Sequence, residues 1–308
     1  MEKSQSRFKF NHTKDRKLII LSAFLIALAF TLNKLYKSYN NIITSYSVLA
    51  KSERVDITTY KELSTKWSIE GANIYDLDGF PVEKNFRGTI DVFDSVKIEI
   101  ERIGSGNVFI TLYSLKGGPI ITYTKANDDV RHKDTISSIQ GVSIEINDIK
   151  KKSDQGLTHT FPFSGKVELG RIADEKGYGD GSAVLRSGEI NMLGKNEIEE
   201  DAYFQGETEK LRTGDKLIFP DNAFSVGIIN INEEPCMTIN YRTESKEAWL
   251  IKPGMLTNKY KISVSIFDQW RYDKDYQRIS MLIAVILVFF TTFTFIFDLT
   301  NFIYPKEN

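Results

Sequence analysis

The sequence has few of the residues from which metal and disulfide sites are built. It contains one cysteine, Cys236, among 308 residues, which excludes an intramolecular disulfide framework and any site that needs several cysteines. The three histidines, His12, His132 and His159, lie far apart and lack the paired spacing of a zinc site. We therefore expect no bound metal.

Motifs of enzymatic chemistry are also scarce. No G-x-S-x-G element occurs, and residues 161–167 (FPFSGKV) end in Gly-Lys without the other residues of a phosphate loop. Residues 177–182 (GYGDGS) are rich in glycine, but a strand is expected after them, so no helix N-terminus would hold a phosphate there. These absences predict a non-enzymatic protein without a cofactor.

The charge is nearly balanced, with 40 basic residues, 41 acidic residues and a formal net charge of −1. A protein that binds duplex nucleic acid along its surface usually carries a strong positive excess. We therefore expect no duplex nucleic acid partner.

Two long stretches without charge are present. Residues 279–297 are nineteen uncharged residues, and residues 18–32 form a shorter uncharged run between Lys17 and Lys34. Nineteen residues at about 1.5 Å each match the hydrocarbon core of a bilayer, and flanking lysines lengthen the effective span of the shorter run. We predict transmembrane helices over 18–36 and 279–303, with the lipid bilayer as a partner. The alternative for the first is a cleaved signal peptide, because Ala27-Leu28-Ala29 resembles a cleavage site.

The basic residues near the spans predict an orientation. The arm formed by residues 1–17 carries six of them: Lys3, Arg7, Lys9, Lys14, Arg16 and Lys17. Because basic segments stay in the cytoplasm, we expect a two-pass protein of the bacterial inner membrane with both termini cytoplasmic. Basic residues on the inner flanks make this bias moderate: Lys37, Arg271, Lys274 and Arg278.

The region between the spans, residues 50–275, alternates apolar and charged residues as strands do. Residues 96–101 and 108–112 alternate on either side of a turn at 104–107, which predicts a β-hairpin with one buried face. Further short strands at regular spacing predict an all-β sandwich or barrel flanked by the two transmembrane α-helices. A helix is expected over residues 38–53.

Three glycines precede a charged residue and an expected strand, in SGKVELG (164–170), SGEINMLG (187–194) and TGDKLIFP (213–220). The simplest interpretation is three similar turns that lead into strands.

Small and polar residues form one stripe along each expected transmembrane helix. They are Ala23, Ala27 and Thr31 in the first, and Ser280, Ala284, Thr291, Thr294 and Asp298 in the second. Such faces let helices approach closely and hydrogen-bond. The stripe predicts either pairing of the two spans within one chain or a homo-oligomer around a polar seam or pore.

In layout, the whole chain resembles the two-transmembrane β-domain (2TM-beta) membrane effectors of prokaryotic nucleotide-signalling anti-phage systems, encoded beside minimal CRISPR-type polymerases. In sequence, the resemblance rests on SGEINMLG, RTGDKLIFPD and INEEPCMTINYR (residues 187–194, 212–221 and 231–242). It implies a β-domain that responds to a cyclic nucleotide and helices that assemble and breach the membrane.

A second hypothesis is an envelope sensor or adaptor whose exported β-domain binds a protein or a glycan. The two hypotheses differ on the side of the membrane that the domain occupies, since a cytosolic nucleotide cannot reach an exported domain.

Overall fold

The computed structural model describes residues 22, 24–33, 36, 42–60, 66–126, 134–136, 141–147, 159–170, 183–195, 203–253 and 259–303. The chain divides into two compact units, Met1–Ile42 and Ile43–Asn308. In the first unit, a short apolar helix, α1, covers Phe24–Asn33. It lies within the predicted first span, of which residues 18–21, 23, 34 and 35 fall outside the described part.

The second unit consists of antiparallel strands followed by two helices. The strands are β1 Thr44–Ser52, β2 Arg54–Thr58, β3 Trp67–Asp76, β4 Pro81–Val92, β5 Val96–Glu101, β6 Val108–Ser114, β7 Ile121–Lys125, β8 Asp134–Ile136, β9 Val142–Ile146, β10 His159–Leu169, β11 Leu185–Lys195, β12 Tyr203–Leu211, β13 Lys216–Ile218, β14 Phe224–Ile231, β15 Met237–Ser245, β16 Ala248–Ile251 and β17 Lys259–Ile262. The helices are α2 Ile266–Tyr272 and α3 Lys274–Ile303. The predicted strand-rich central region is confirmed. Its strands begin at Thr44, ahead of the expected start at residue 50.

The membrane prediction is confirmed in part. Among the described residues, one helical segment, Tyr276–Ile296 in α3, is long and apolar enough to cross a bilayer. The described part of α1, Phe24–Asn33, is shorter than a membrane span. The structure therefore supports one candidate span where the sequence predicts two.

The strands pair in two series that share β10. Sheet I has the order β12-β11-β1-β15-β14-β10. Sheet II has the order β17-β16-β13-β10-β2-β5-β6-β9-β3-β4-β7-β8. The first part of β10, His159–Gly165, pairs with β14, and the rest, Lys166–Leu169, pairs with β2.

Gly165 is where β10 passes from one sheet to the other. Its φ is +147°, and a Cβ atom there would lie 2.1 Å from the carbonyl oxygen of Thr58. A side chain would therefore collide with the backbone of β2, so this crossing requires glycine.

Sheet II curls back on itself. Five strand-to-strand steps separate β10 from β3, which would place them about 24 Å apart in a flat sheet. Yet the indole Nε1 of Trp67 on β3 donates to the carbonyl oxygen of Pro162 on β10 at 2.9 Å. The ring of Trp67 also packs edge-on against Phe161, with 5.1 Å between ring centroids. Curling closes the sheet around a core of fully buried aliphatic side chains.

The expected hairpin is confirmed. Residues Val96, Ile98 and Ile100 of β5 and Val108, Ile110 and Leu112 of β6 are fully buried, and the register pairs Ile98 with Leu112 and Ile100 with Ile110. The alternation of apolar and charged residues was enough to predict this hairpin, because the two strands are adjacent in sequence and each buries one face.

The helix expected over residues 38–53 is wrong where the structure describes it, since β1 occupies Thr44–Ser52. This strand lies between β11 and β15. Tyr46, Val48 and Ala50 alternate along it and are buried. Long-range pairing on both edges overrides the local preference.

The three glycines that looked alike in sequence have different environments. Gly165 and Gly188 lie inside strands β10 and β11, whereas Gly214 lies in a turn with φ +82°. At Gly188, a Cβ atom would lie 2.7 Å from the carbonyl oxygen of Leu49. The interpretation of three similar turns is therefore wrong for two of the three.

Replacing Gly165 by alanine should destabilise the folded state, because the added methyl group meets the Thr58 carbonyl in a conformation that suits glycine. We expect a loss of about 2 kcal/mol or more, which corresponds to roughly 4–8 °C in Tm for a domain of this size. Thermal melting of the full chain in detergent measures it.

Gly118→Ala is the matched control, since a Cβ atom at Gly118 meets nothing within 4 Å. Equal Tm values for the two variants would contradict the role given to Gly165.

Candidate functional site

Helix α2 begins at a capping box that its sequence encodes. The Ser265 hydroxyl accepts a hydrogen bond from the Asp268 backbone N–H at 3.1 Å, and the Asp268 carboxylate accepts one from the Ser265 N–H at 3.1 Å. These two bonds satisfy N–H groups that a helix start otherwise leaves without partners. A short helix is thereby fixed directly after the last strands.

One residue, Asp273, joins α2 to α3. Its backbone N–H donates to the Gln269 carbonyl at 2.9 Å, and its own carbonyl accepts from the Gln277 N–H at 3.0 Å. Its carboxylate also accepts from the Tyr276 N–H at 3.3 Å, within the first turn of α3. Asp273 is buried. The junction is thus a hydrogen-bonded corner without a linker.

The two faces of α2 have different surroundings. Asp268 and Gln269 are buried, on a helix that packs against β12. Phe267 and Trp270 are 73% and 58% exposed. Large aromatic side chains beside an apolar span are typical of the membrane–water interface. Helix α2 therefore has one side on the strand-rich domain and an aromatic side free for lipid.

Helix α3 presents the candidate span without protein cover. None of the span is buried, and its 21 residues would extend about 31 Å at 1.5 Å per residue, close to the thickness of a hydrocarbon core. Unburied apolar side chains along this whole length are suited to lipid rather than to a protein interior.

The residues of the predicted stripe fall into three environments. Ser280 and Ala284 line a groove between α2 and α3. Thr291, Thr294 and Asp298 lie further along α3 and are exposed. Ala27 and Thr31 lie on α1, whereas Ala23 falls outside the described residues.

The threonine hydroxyls donate within their own helices. Thr291 Oγ1 donates to the carbonyls of Leu287 and Val288 at 3.0 and 2.9 Å, and Thr294 Oγ1 donates to those of Phe290 and Thr291 at 3.0 and 2.9 Å. Thr31 on α1 does the same, to Ala27 and Leu28. The donors expected to bond between helices are thus already used locally.

The groove between α2 and α3 was not found by sequence reasoning. Its volume is about 720 Å³, and it is lined by Phe267, Trp270, Arg271, Gln277, Ser280, Met281 and Ala284. The sequence does place aromatic and basic residues just before the span, in IFDQWRY (266–272). This segment is too short to show helical periodicity, so it did not predict a helix that could form a groove with α3.

A polar cluster lies at the corner between β1 and β2 in the strand-rich domain. The buried Glu53 carboxylate accepts from Arg186 at 2.7 Å and from the backbone N–H groups of Gly104 and Val184 at 3.2 Å. Nearby, Arg102 is 1% exposed. These contacts join the β1–β2 corner to the β5–β6 turn and to the start of β11.

The guanidinium of Arg102 sits among backbone carbonyls, which we call the carbonyl cage. Its Nη1 donates to the carbonyls of Asn232, Glu234 and Cys236 at 2.8, 2.9 and 2.9 Å, and its Nε donates to Gly106 at 3.3 Å. Burial lowers the pKa of Arg102, but an arginine remains charged in proteins. The cage fixes the β14–β15 turn on the β5–β6 turn.

The single cysteine beside this cage is poorly suited to nucleophilic chemistry. Burial raises the pKa of the Cys236 thiol, so the thiol stays protonated at neutral pH, whereas the thiolate is the reactive form. No group of three or more His, Cys, Asp or Glu side chains among the described residues is placed to hold a metal ion.

Among the described residues, a crowded ion-pair cluster surrounds Arg54. Its guanidinium contacts the carboxylates of Asp56 and Glu99, both at 2.9 Å, and that of Glu101. Burial raises the pKa of Asp56, while Lys97, bonded to Glu99 at 2.5 Å, helps to lower the pKa of Glu99 against the opposing effect of burial. Structural ion-pair networks shift pKa values in this way, and here the pairs hold β2 against β5.

Replacing Arg102 by leucine should destabilise the fold strongly, because four backbone carbonyls lose the charged donor that the buried Arg102 side chain supplies. Hydrogen bonds to charged groups contribute about 1.5–3 kcal/mol each, so we expect a loss of about 3 kcal/mol or more. Chemical denaturation of the full chain in detergent measures it.

Lys51→Gln is the control, because the Lys51–Glu234 ion pair beside the cage is exposed on both sides and should leave stability nearly unchanged. A loss of similar size in both variants would refute the cage as a stabilising element.

Replacing Thr291 and Thr294 together by valine should leave any association of α3 nearly unchanged, since valine keeps the volume and the hydroxyl donors already bond within the helix. Replacing both by leucine should weaken association, because a bulkier face keeps helices apart. Analytical ultracentrifugation and crosslinking in detergent distinguish the variants. Equal weakening by both pairs would show that the hydroxyls themselves make the contacts, and a monomeric wild type would exclude association.

No family model matches the sequence, and no curated protein matches it either. A functional proposal therefore rests on the sequence and on the geometry of the described residues.

Proposed function

We propose that this chain is a non-enzymatic membrane effector in anti-phage defence, in which the strand-rich domain controls α3 and thereby membrane disruption. The observation that supports it is the junction at Asp273. A domain that needs only a tether can be joined to its span by a flexible linker. Here the backbone hydrogen bonds continue from α2 into α3 across one buried residue.

The junction provides a mechanical route from the domain to the span. Helix α2 buries Asp268 and Gln269 and packs against β12, so a shift of β12 moves α2 with it. Asp273 then passes that movement to the first turn of α3. Small shifts of packed elements are a known means of switching.

The remaining parts of the proposal come from the sequence. The predicted span over residues 18–36, which includes α1, is the other span of a two-pass protein of the bacterial inner membrane, and α3 associates with copies of itself. The ligand that switches the domain is a cyclic nucleotide, as the resemblance to the two-transmembrane β-domain effectors implies. This ligand requires the domain to lie on the cytoplasmic side, against the orientation that the basic arm favours.

An envelope sensor or adaptor is the second candidate, and one surface of sheet I favours it. Phe224, Val226 and Ile228 follow one another along the outer face of β14 and are 44%, 56% and 38% exposed. Leu49 on β1 lies on the same face, because Leu49 and Ile228 are both paired with Asn240 of β15, which lies between them. Exposed apolar rows rimmed by polar residues are typical of protein-binding surfaces.

The two proposed functions differ in the side of the membrane on which the strand-rich domain lies. Ser105 lies in the exposed β5–β6 turn, so a Ser105→Cys variant offers a thiol for labelling. Cys236 is replaced by glycine, because its φ of +71° suits glycine. Labelling of intact spheroplasts by a membrane-impermeant maleimide would support the adaptor, whereas labelling only after lysis would support the effector.

Inserting Gly-Ser-Gly-Ser after Asp273 should abolish control of the span by the domain. The insertion breaks the backbone hydrogen bonds at the corner but leaves both sheets and the span intact. With the full chain in liposomes, we expect dye release that depends on added cyclic nucleotides in the wild type and no such dependence in the variant.

The same insertion between Gly117 and Gly118, in a turn where a Cβ atom on either glycine would meet nothing within 4 Å, is the control and should keep the response. A nucleotide response that survives the insertion after Asp273 would rule out this coupling. A wild type that releases no dye with any cyclic nucleotide would reject the nucleotide-gated effector.

A further inference from the structure

We propose that the groove between α2 and α3 is a binding site for a membrane phospholipid. The acyl chain lies between Phe267 and Trp270 on one side and Met281 and Ala284 on the other. The headgroup phosphate lies at Arg271.

The depth of the groove fits the boundary of a bilayer. Met281 and Ala284 belong to the candidate span, which begins at Tyr276. From Arg278, the last charged residue before the apolar run, to Ala284 is about 9 Å along a helix. Helices that lie in the interface insert their apolar face by about 5–10 Å. The aromatic side chains of α2 therefore reach the region where acyl chains begin.

The groove also has the chemistry of a phospholipid along its length. Its lining is mostly apolar, while Arg271 and Gln277 bring polar groups to it from the last turn of α2 and the first turn of α3. Residues 271–278 carry three basic residues and two acidic ones. One of the acidic residues, Asp273, is buried and caps α3. Basic residues beside a span attract anionic headgroups.

The size of the groove favours a lipid over a second helix. Its lining on α3 extends from Gln277 to Ala284, which is about 10 Å along the helix. A second helix packed along α3, as helices in membrane bundles usually pack, would contact a longer stretch than this. A volume of about 720 Å³ lies in the range of pockets that hold small molecules. The groove is therefore the size of a site for one chain and its headgroup.

Tryptophan quenching by brominated lipids tests the acyl chain. The full chain is placed in phosphatidylcholine bilayers brominated at the 6,7 or the 11,12 position, and wild type is compared with Trp270→Phe. The other two tryptophans, Trp67 and Trp249, lie in strands β3 and β16. We expect stronger quenching by the 6,7 lipid and loss of that quenching in the variant. Quenching that Trp270→Phe leaves unchanged would overturn the proposal.

Retention of phosphatidylglycerol tests the headgroup. Native mass spectrometry of the full chain from nanodiscs that mix phosphatidylglycerol and phosphatidylcholine should show about fivefold less bound phosphatidylglycerol for Arg271→Gln. Arg87→Gln, at an exposed arginine of β4, is the control and should match wild type. Equal retention in all three proteins would overturn the assignment of the phosphate to Arg271.

Crosslinking tests whether a second copy of the chain occupies the groove. Ala284→Cys is combined with Cys236→Gly and oxidised in the bilayer. We expect little disulfide dimer, because lipid covers Ala284. A dimer formed in high yield would place another α3 in the groove and refute the lipid site.

Discussion

Strand β10 belongs to both sheets, and the rest of the domain depends on that double membership. Its first part extends sheet I and its last part extends sheet II, so the two cores cannot separate without breaking a single strand. The close approach of Gly165 to the Thr58 carbonyl makes the crossing possible. A second crossing occurs at Glu53, where the chain leaves β1 in sheet I and enters β2 in sheet II. The carboxylate of Glu53 and the carbonyl cage around Arg102 gather there because backbone groups at such a corner lose their ladder partners and must be satisfied by side chains.

The membrane helix α3 is also joined to the strand-rich domain through a single residue. Helix α2 has a buried polar side on the domain and an exposed aromatic side, and one residue turns it into α3. A helix of seven residues is too short to be stable alone, so its conformation is held by the capping box and by the domain beneath it. The orientation of α3 relative to the strands is therefore determined by packing and hydrogen bonds. This coupling is what distinguishes the proposed effector from a domain that is merely anchored.

Sequence patterns predicted the elements whose information is local. The β5–β6 hairpin followed from alternation, and the apolar run after residue 279 predicted the span. Strand β1 was mistaken for a helix, because its partners β11 and β15 are remote in sequence and decide its conformation. The crossing at Gly165 was missed because a glycine before a strand resembles an ordinary turn. The groove beside Phe267 and Trp270 needs two helices at a defined angle, which no single segment encodes. The sequence showed the threonine stripe, but it did not show that the hydroxyls donate hydrogen bonds within their own helix, because that depends on the side-chain rotamers.

The position of β1 in sheet I has a consequence for synthesis on the ribosome. Leu49 pairs with Glu189 on one side and with Asn240 on the other, so the central strand is made about 140 residues before its first neighbour and about 190 before its second. At about 5–20 residues per second, β1 waits roughly 7–28 seconds without a partner on either edge. During that time, the apolar row of Tyr46, Val48 and Ala50 and the open strand edges are exposed to other nascent chains. Sheet I can form only after β15 has been translated, whereas local pairs such as β5–β6 can form earlier, because their strands are adjacent in sequence.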